Sequence, residues 1–393
     1  MSVTQKDHIS PGARSWWPSA GTSSLVWRVV PALLALMVAA PIFSVLWSLT
    51  DLSGDTWQHL AQTVLPTYVA NTLLLMMLVG IMTFCLGVGA AWIIVSFRFP
   101  GDRILSWALV LPLAMPGYII AYVYTDLLEF AGPVQTMLRE MMGWQARDYT
   151  FPPIRSLGGA ALMLSLVLYP YVYLLARTAF QRQSVALVEA TRVLGVTPTR
   201  AFLRVALPCA RPAIAGGVAL ALMETIADYG VADYFGVSTL TAGIFRTWLS
   251  MGEPVAAAQI AAILFLFAGG LIVFERMNRR GNVANPLGRD VAAAWGAMIA
   301  CGVPVLLGFI VPAYVLAVYA LTIGDPLLGA RFVFFALNSL WVAGIAALVA
   351  TLCALVLAYA GRRERGQSNN ILIRLATLGY ALPGAMVAIG VLA

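Results

Sequence analysis

Histidine and lysine are almost missing from this sequence: His8 and His59 are its two histidines, and Lys6 is its one lysine against 23 arginines. Two histidines so far apart exclude a histidine-based metal site. The four cysteines, Cys85, Cys209, Cys301 and Cys353, form neither a C-x-x-C nor a Cys/His cluster. They read as small apolar side chains within or at the ends of helices. Charge is scarce too, at 10% of residues, while 61% are apolar. Soluble domains run nearer a quarter charged, so the composition is that of an integral membrane protein. The sequence has no G-x-x-x-x-G-K-[ST], hence no nucleotide cradle of its own. It also lacks H-E-x-x-H, and it lacks paired aspartates on two different apolar runs, which weighs against a membrane-embedded protease or transferase. The formal charge is +7, but the arginines lie between apolar runs rather than clustered with aromatics, so no nucleic acid partner is expected.

What is present is a series of apolar runs. After a polar tail over residues 1–24, the first run covers 25–49, too long for a signal-peptide core. Others follow at 68–96, 104–128, 157–180, 208–228, 255–275, 292–321, 332–360 and 371–393. Each is about 20 residues or longer, enough to cross the hydrocarbon. The expected fold class is an all-α integral membrane protein, a polytopic bundle of about nine transmembrane helices. Segments 1–28, 97–103, 177–211, 276–289 and 362–374 hold 19 of the 24 Lys and Arg, and the alternate loops hold five. That asymmetry places the N-terminus in the cytoplasm. In the longest outer loop, Val134, Met137, Leu138, Met141 and Met142 recur at helical spacing. They predict a short helix, lying either at the outer interface or against the bundle.

The chain repeats itself at a constant offset of 267 residues. Asn71-Thr72-Leu73 returns as Asn338-Ser339-Leu340, Ala91-Trp92 as Ala358-Tyr359, and Met115-Pro116-Gly117 as Leu382-Pro383-Gly384. Residues 25–280 form a first repeat, 281–291 a cytoplasmic linker, and 292–393 the start of a second. The counterpart of Glu189 falls near position 456, beyond this sequence. Either the sequence is a fragment of a longer two-repeat protein or its second half is degenerate; the fragment is the preferred reading.

The polar island between apolar runs is Glu189–Pro208, EATRVLGVTPTRAFLRVALP. Ala190 is small enough for a partner to approach closely, and Gly195 lets the chain reverse at a helix end. Pro208 stands where a membrane helix starts, a position proline tolerates. Glu189-Ala190-Thr191, Gly195 and Val205-x-Leu207-Pro208 resemble the E-A-A-x(3)-G-x(9)-I-x-L-P loop of permease subunits of ABC importers that work with a substrate-binding protein. Thr191 and Val205 depart mildly from that pattern. The resemblance implies that 189–208 is a coupling loop seated in a cleft of a separate ATPase subunit. It also implies two such ATPase subunits, a periplasmic binding protein, the inner membrane as location, and ATP used by the partner rather than bound here.

Met223-Glu224-Thr225, Asp228-Tyr229-Gly230, Asp233-Tyr234-Phe235-Gly236 and Thr241-x-Gly243-Ile244-Phe245 follow. This run is similar to that of fused, two-repeat ferric-iron permeases, which implies ferric iron as cargo. Relatives carrying thiamine, phosphonates or polyamines share the coupling loop and remain alternatives. An ion-gradient carrier using Glu224 and Asp228 is a further one. Spaced four apart, Glu224 and Asp228 share one helical face. With Asp233, Tyr229 and Tyr234 they form an oxygen-rich set of the kind Fe(III) prefers. The other reading places them solvated at the outer helix end or paired with Arg246. Pro116-Gly117 and Pro383-Gly384 break apolar runs at matching places, either as part of a translocation path or as packing kinks.

Overall fold

The computed structural model describes residues 23–50, 55–145, 147–182, 200, 202–278, 290–291, 294–322, 329–363, 367–377, 379 and 382–392. In chain order the helices are α1 (Ser23–Trp47), α2 (Asp55–Thr63), α3 (Leu65–Ser96), α4 (Asp102–Ala108), α5 (Gly117–Leu128), α6 (Pro133–Met142) and α7 (Leu157–Gln181). After them come α8 (Leu207–Ala227), α9 (Gly230–Tyr234), α10 (Leu240–Phe245), α11 (Pro254–Asn278), α12 (Ala294–Val305) and α13 (Val311–Thr322). The last three are α14 (Ala330–Arg363), α15 (Gln367–Thr377) and α16 (Gly384–Leu392). Two short strands, β1 (Phe97–Arg98) and β2 (Asp290–Val291), pair in parallel.

Among the described residues, seven helical segments are long and apolar enough to cross a membrane, eight if one bent pair is counted as a span. Of the apolar runs expected to cross, two are broken at the Pro-Gly pairs that the sequence marks. The run at 104–128 bends by 93° between Ala114 and Gly117. Pro116 sits there with φ −59° and ψ 137°, and it brings no N–H to continue the helix. The run at 371–393 is likewise two pieces, α15 ending at Thr377 and α16 starting at Gly384. The two breaks match in detail. Ile119 and Ile120 donate to the Pro116 carbonyl as Met386 and Val387 donate to that of Pro383.

The chain divides into two compact units, Met1–Ala39 with Phe335–Gly379, and Ala40–Phe334 with Tyr380–Ala393. In the first unit, the leading part of α1 runs beside α14, with the Trp27 and Tyr359 rings 4.5 Å apart. Asn369 of α15 donates to Ala360 O of α14 at 3.2 Å.

In the second unit α7 is the central post, with 72% of its most apolar window buried. Glycines let its neighbours close on it. A Cβ on Gly87 of α3 would stand 2.7 Å from Val172 Cβ, and one on Gly217 of α8 would stand 2.7 Å from Val172 Cα. Helices in lipid associate largely by this close backbone approach, because burial of apolar surface adds little there. The α12–α13 segment lies across the same body. Tyr124 of α5 donates to Leu307 O at 2.7 Å, and a Cβ on Gly308 would meet Leu166 O at 2.7 Å. The segment opening the second sequence half, α12–α13, thus packs on helices of the first half, α5 and α7.

Candidate functional site

The coupling stretch is only partly on view. Glu189, Ala190, Thr191 and Gly195 lie outside the described residues. Val205 belongs to a wide helical turn, Phe202–Ala206, and α8 begins directly after it with Leu207 and Pro208 in its first turn. The two feet of the loop meet one aromatic side chain. Trp92 of α3 lies 5.5 Å, edge to face, from Phe180 at the end of α7. It lies 4.8 Å from Phe202, where the chain returns. Phe180 and Phe202 are themselves 6.2 Å apart. Sequence reasoning missed this trio; its one available signal was that Ala91-Trp92 recurs as Ala358-Tyr359.

At the opposite end of α8 Asp228 closes the helix, its N–H donating to Glu224 O at 2.9 Å. Asp228 is the residue after the last turn, with ψ 119°. Its side chain turns back to accept the Val231 N–H at 2.8 Å. Asp228 therefore caps the start of α9, as Asp does at helix N-termini. Burial pushes its carboxyl up from the usual range; the Val231 and Ala232 amides pull it down, and Glu224 raises it again. A Cβ on Gly117 would lie 3.2 Å from Asp228 Oδ2 and 3.0 Å from Val231 Cγ2. The Pro116-Gly117 break and Asp228 are thus packed together, and glycine is what allows it.

The tyrosines gather around the same point. Tyr229 meets Phe245 with ring centres 4.4 Å apart and planes tilted by 45°, and is hydrogen-bonded to Asp233. Tyr234 meets Tyr122 of α5 at 6.4 Å and has the Arg155 guanidinium 5.3 Å from its ring. Tyr118, one turn before Tyr122, lies against Gly230. Neither Tyr118 nor Tyr122 was singled out from sequence, because an i, i+4 tyrosine pair in an apolar run reads as packing; both are exposed. Arg246 reaches Tyr68 Oη at 3.4 Å. Among the described residues no three or more His, Cys, Asp or Glu side chains group closely enough to hold a metal ion.

The loop joining α8 to α10 is held from below by the first half of the repeated Asn-Thr-Leu. Asn71 Nδ2 donates to Ser238 O at 3.1 Å, and Thr72 Oγ1 accepts from Leu240 N at 2.9 Å.

Residues 83–280, the stretch containing α7, the polar island and α8, match the family model of the binding-protein-dependent transport system inner membrane component. The chain belongs to that family. It is 31% identical to a probable sulfate transport system permease protein of Chlorokybus atmophyticus over 66% of this chain and 91% of that one. It is 25% identical to an Fe(3+)-transport system permease protein of Haemophilus influenzae over 82% of this chain and 62% of that one. The molybdenum transport system permease protein of Escherichia coli is 27% identical over 46% of this chain. A solved bacterial alginate ABC transporter, in complex with a pentasaccharide-bound periplasmic protein, superposes with TM-score 0.50 at 20% identity over 66% of this chain. The protein is therefore an all-helical, multi-pass permease of the ABC-importer class.

Proposed function

We propose that this permease carries ferric iron, delivered by a periplasmic binding protein and driven by two copies of a separate ATPase subunit. The observation that carries the cargo reading is the chemistry gathered at the end of α8. Asp228, Asp233, Glu224, Tyr118, Tyr122, Tyr229 and Tyr234 present carboxylate and phenol oxygens, hard donors suited to a highly charged cation. An oxyanion such as sulfate asks instead for guanidinium, ammonium or amide N–H donors. The ferric relative supports the reading, although this chain spans only 62% of its length. Transport of a small oxyanion is the second reading, favoured by the 31% identity to the sulfate permease.

In this scheme 189–208 is the cytoplasmic coupling element, and 25–280 is a permease repeat whose opening is repeated from 292. Closure of the ATPase subunits pulls on the loop, and Trp92 takes up that pull through Phe180 and Phe202. Helices α3, α7 and α8 then move as one body between inward- and outward-open states.

Uptake by a permease-deletion strain decides the cargo. Restoring the gene is expected to restore uptake of radiolabelled ferric citrate and growth under iron limitation, with sulfate and molybdate uptake unchanged. Restoration of sulfate or thiamine uptake in place of iron overturns the assignment.

A further inference from the structure

Between α5 and α7 the chain builds a small body of its own. The Arg139 guanidinium lies 4.4 Å from the Phe130 ring centre and donates to Phe130 O at 2.9 Å. It also donates to Tyr149 Oη at 2.8 Å and Thr136 Oγ1 at 3.0 Å. Tyr149 Oη passes a hydrogen bond to Gln135 Oε1 at 2.7 Å, and Gln135 Nε2 donates to Leu128 O at 2.8 Å. A loop tied across in this way keeps its shape without a ligand. Beside these ties lies a cavity of about 440 Å³ whose walls include Glu129, Phe130, Tyr149, Phe151 and Arg155.

Arg155 is the cation of this cavity. It spends only its Nε on Glu129, at 2.6 Å, and both side chains are about half exposed, 52% and 46%. Among the described residues its two Nη atoms make no hydrogen bond. A guanidinium with that edge uncommitted is the group that takes a carboxylate with two parallel hydrogen bonds. The same guanidinium lies 5.3 Å from the ring of Tyr234. One side chain therefore joins the cavity to the oxygen-rich cluster at the end of α8.

We propose that this cavity is the docking socket for the substrate-binding protein, which seats there a loop carrying an acidic side chain against the Nη edge of Arg155. The proposal rests on the importer reading and on the arginine asymmetry that puts 129–156 on the outer face. A free oxyanion fits less well. Phe130 and Phe151 in its walls offer an ion no donors but suit the apolar residues of a loop. The volume is that of a pocket for a ligand of many atoms rather than for a small ion. Seating the loop moves Arg155, and with it Tyr234.

The test uses the full permease–ATPase complex in nanodiscs, its ATP hydrolysis titrated with cargo-loaded binding protein. Arg155→Glu is expected to raise the binding-protein concentration for half-maximal stimulation at least about tenfold, the size expected when one side of a charged contact is reversed. Glu129→Gln removes the competing carboxylate and is expected to lower it about two- to fivefold. Misfolding would weaken both variants alike, so the opposite signs separate docking from damage. Half-saturation within twofold of wild type in Arg155→Glu overturns the proposal, as does a change confined to the KM for cargo. If the binding protein fails to stimulate even the wild-type complex, the importer reading falls, and the socket with it. Wild-type stimulation with unaffected variants removes the socket alone.

Discussion

The Trp92 indole lies 4.8 Å from the Phe202 ring and 5.5 Å from Phe180, so one side chain of α3 touches both feet of the polar loop. A rigid contact of this kind passes displacement on, whereas two loose loop ends absorb it. Packed chains of side chains with rigid helices are one carrier of coupling between distant sites. Trp92→Ala is expected to leave ATP hydrolysis in place while lowering uptake per ATP about tenfold. Trp92→Phe, which keeps a ring in the gap, is expected to stay near wild type. Equal loss of hydrolysis and uptake in Trp92→Ala would show that the trio merely holds the fold.

Two glycines one turn-half apart on α3 make a matched pair. A Cβ on Gly87 would stand 2.7 Å from Val172 Cβ and 2.9 Å from the Tyr169 carbonyl, while one on Gly89 would have nothing within 4 Å. The neighbours of Gly87 are the backbone and branched side chain of α7, which cannot swing aside. Gly87→Ala is expected to cost about 1–3 kcal/mol through overpacking, read as a lower Tm in detergent, and Gly89→Ala to be neutral or stabilising. Similar behaviour of both variants would refute the glycine-mediated contact between α3 and α7.

Much of the helical arrangement was legible beforehand, because apolar length reports on a membrane chain directly. The breaks at Pro116 and Pro383 were legible too, since proline acts locally. The short helix expected from Val134, Met137, Leu138, Met141 and Met142 is α6; Leu138 is half-buried and the other four side chains are exposed. The contact of Asp228 with Val231 was not legible, because helical spacing carries no information on where the helix stops. One residue beyond α8 its carboxylate accepts from the Val231 N–H, while its own N–H still donates to Glu224 O. The anchoring of Ser238 and Leu240 on Asn71 and Thr72 spans more than 160 residues. No local pattern announces it, although the recurrence of Asn-Thr-Leu as Asn-Ser-Leu marked the residues without showing their use.

Asp228 can be a cap, a contact for cargo, or both, and two substitutions separate the roles. Asp228→Asn keeps an acceptor for the Val231 N–H but removes the charge; Asp228→Ala removes both. The lost cap is expected to cost about 1 kcal/mol in the alanine variant and little in asparagine. If the carboxylate meets ferric cargo, uptake falls in both. The carboxyl is held above its ordinary 3.8 by burial, so the native state binds its proton more tightly than the unfolded state does. Its contribution is then fully present below the ordinary value and is lost as pH rises through the raised one. Asp228→Asn is expected to remove that pH-dependent loss from a thermal-stability profile taken upward from pH 4. Normal uptake in Asp228→Asn leaves this residue a cap only.

The coupling role proposed for 189–208 rests on the pattern Glu189-Ala190-Thr191, Gly195 and Val205-x-Leu207-Pro208. An acidic group at the head of such an element is expected to meet the ATPase cleft, and reversing its charge places an arginine where a carboxylate was accommodated. Like-charge or unpaired-charge contacts at an interface cost several kcal/mol. Glu189→Arg should therefore leave the permease inserted, with α3, α7 and α8 packed as before, yet break its copurification with the ATPase and abolish uptake. Gly195→Val should act in the same direction by denying the chain its reversal, without adding charge. A Glu189→Arg complex that still copurifies and still transports would detach this stretch from the energy source and leave the ion-gradient carrier as the mechanism to pursue.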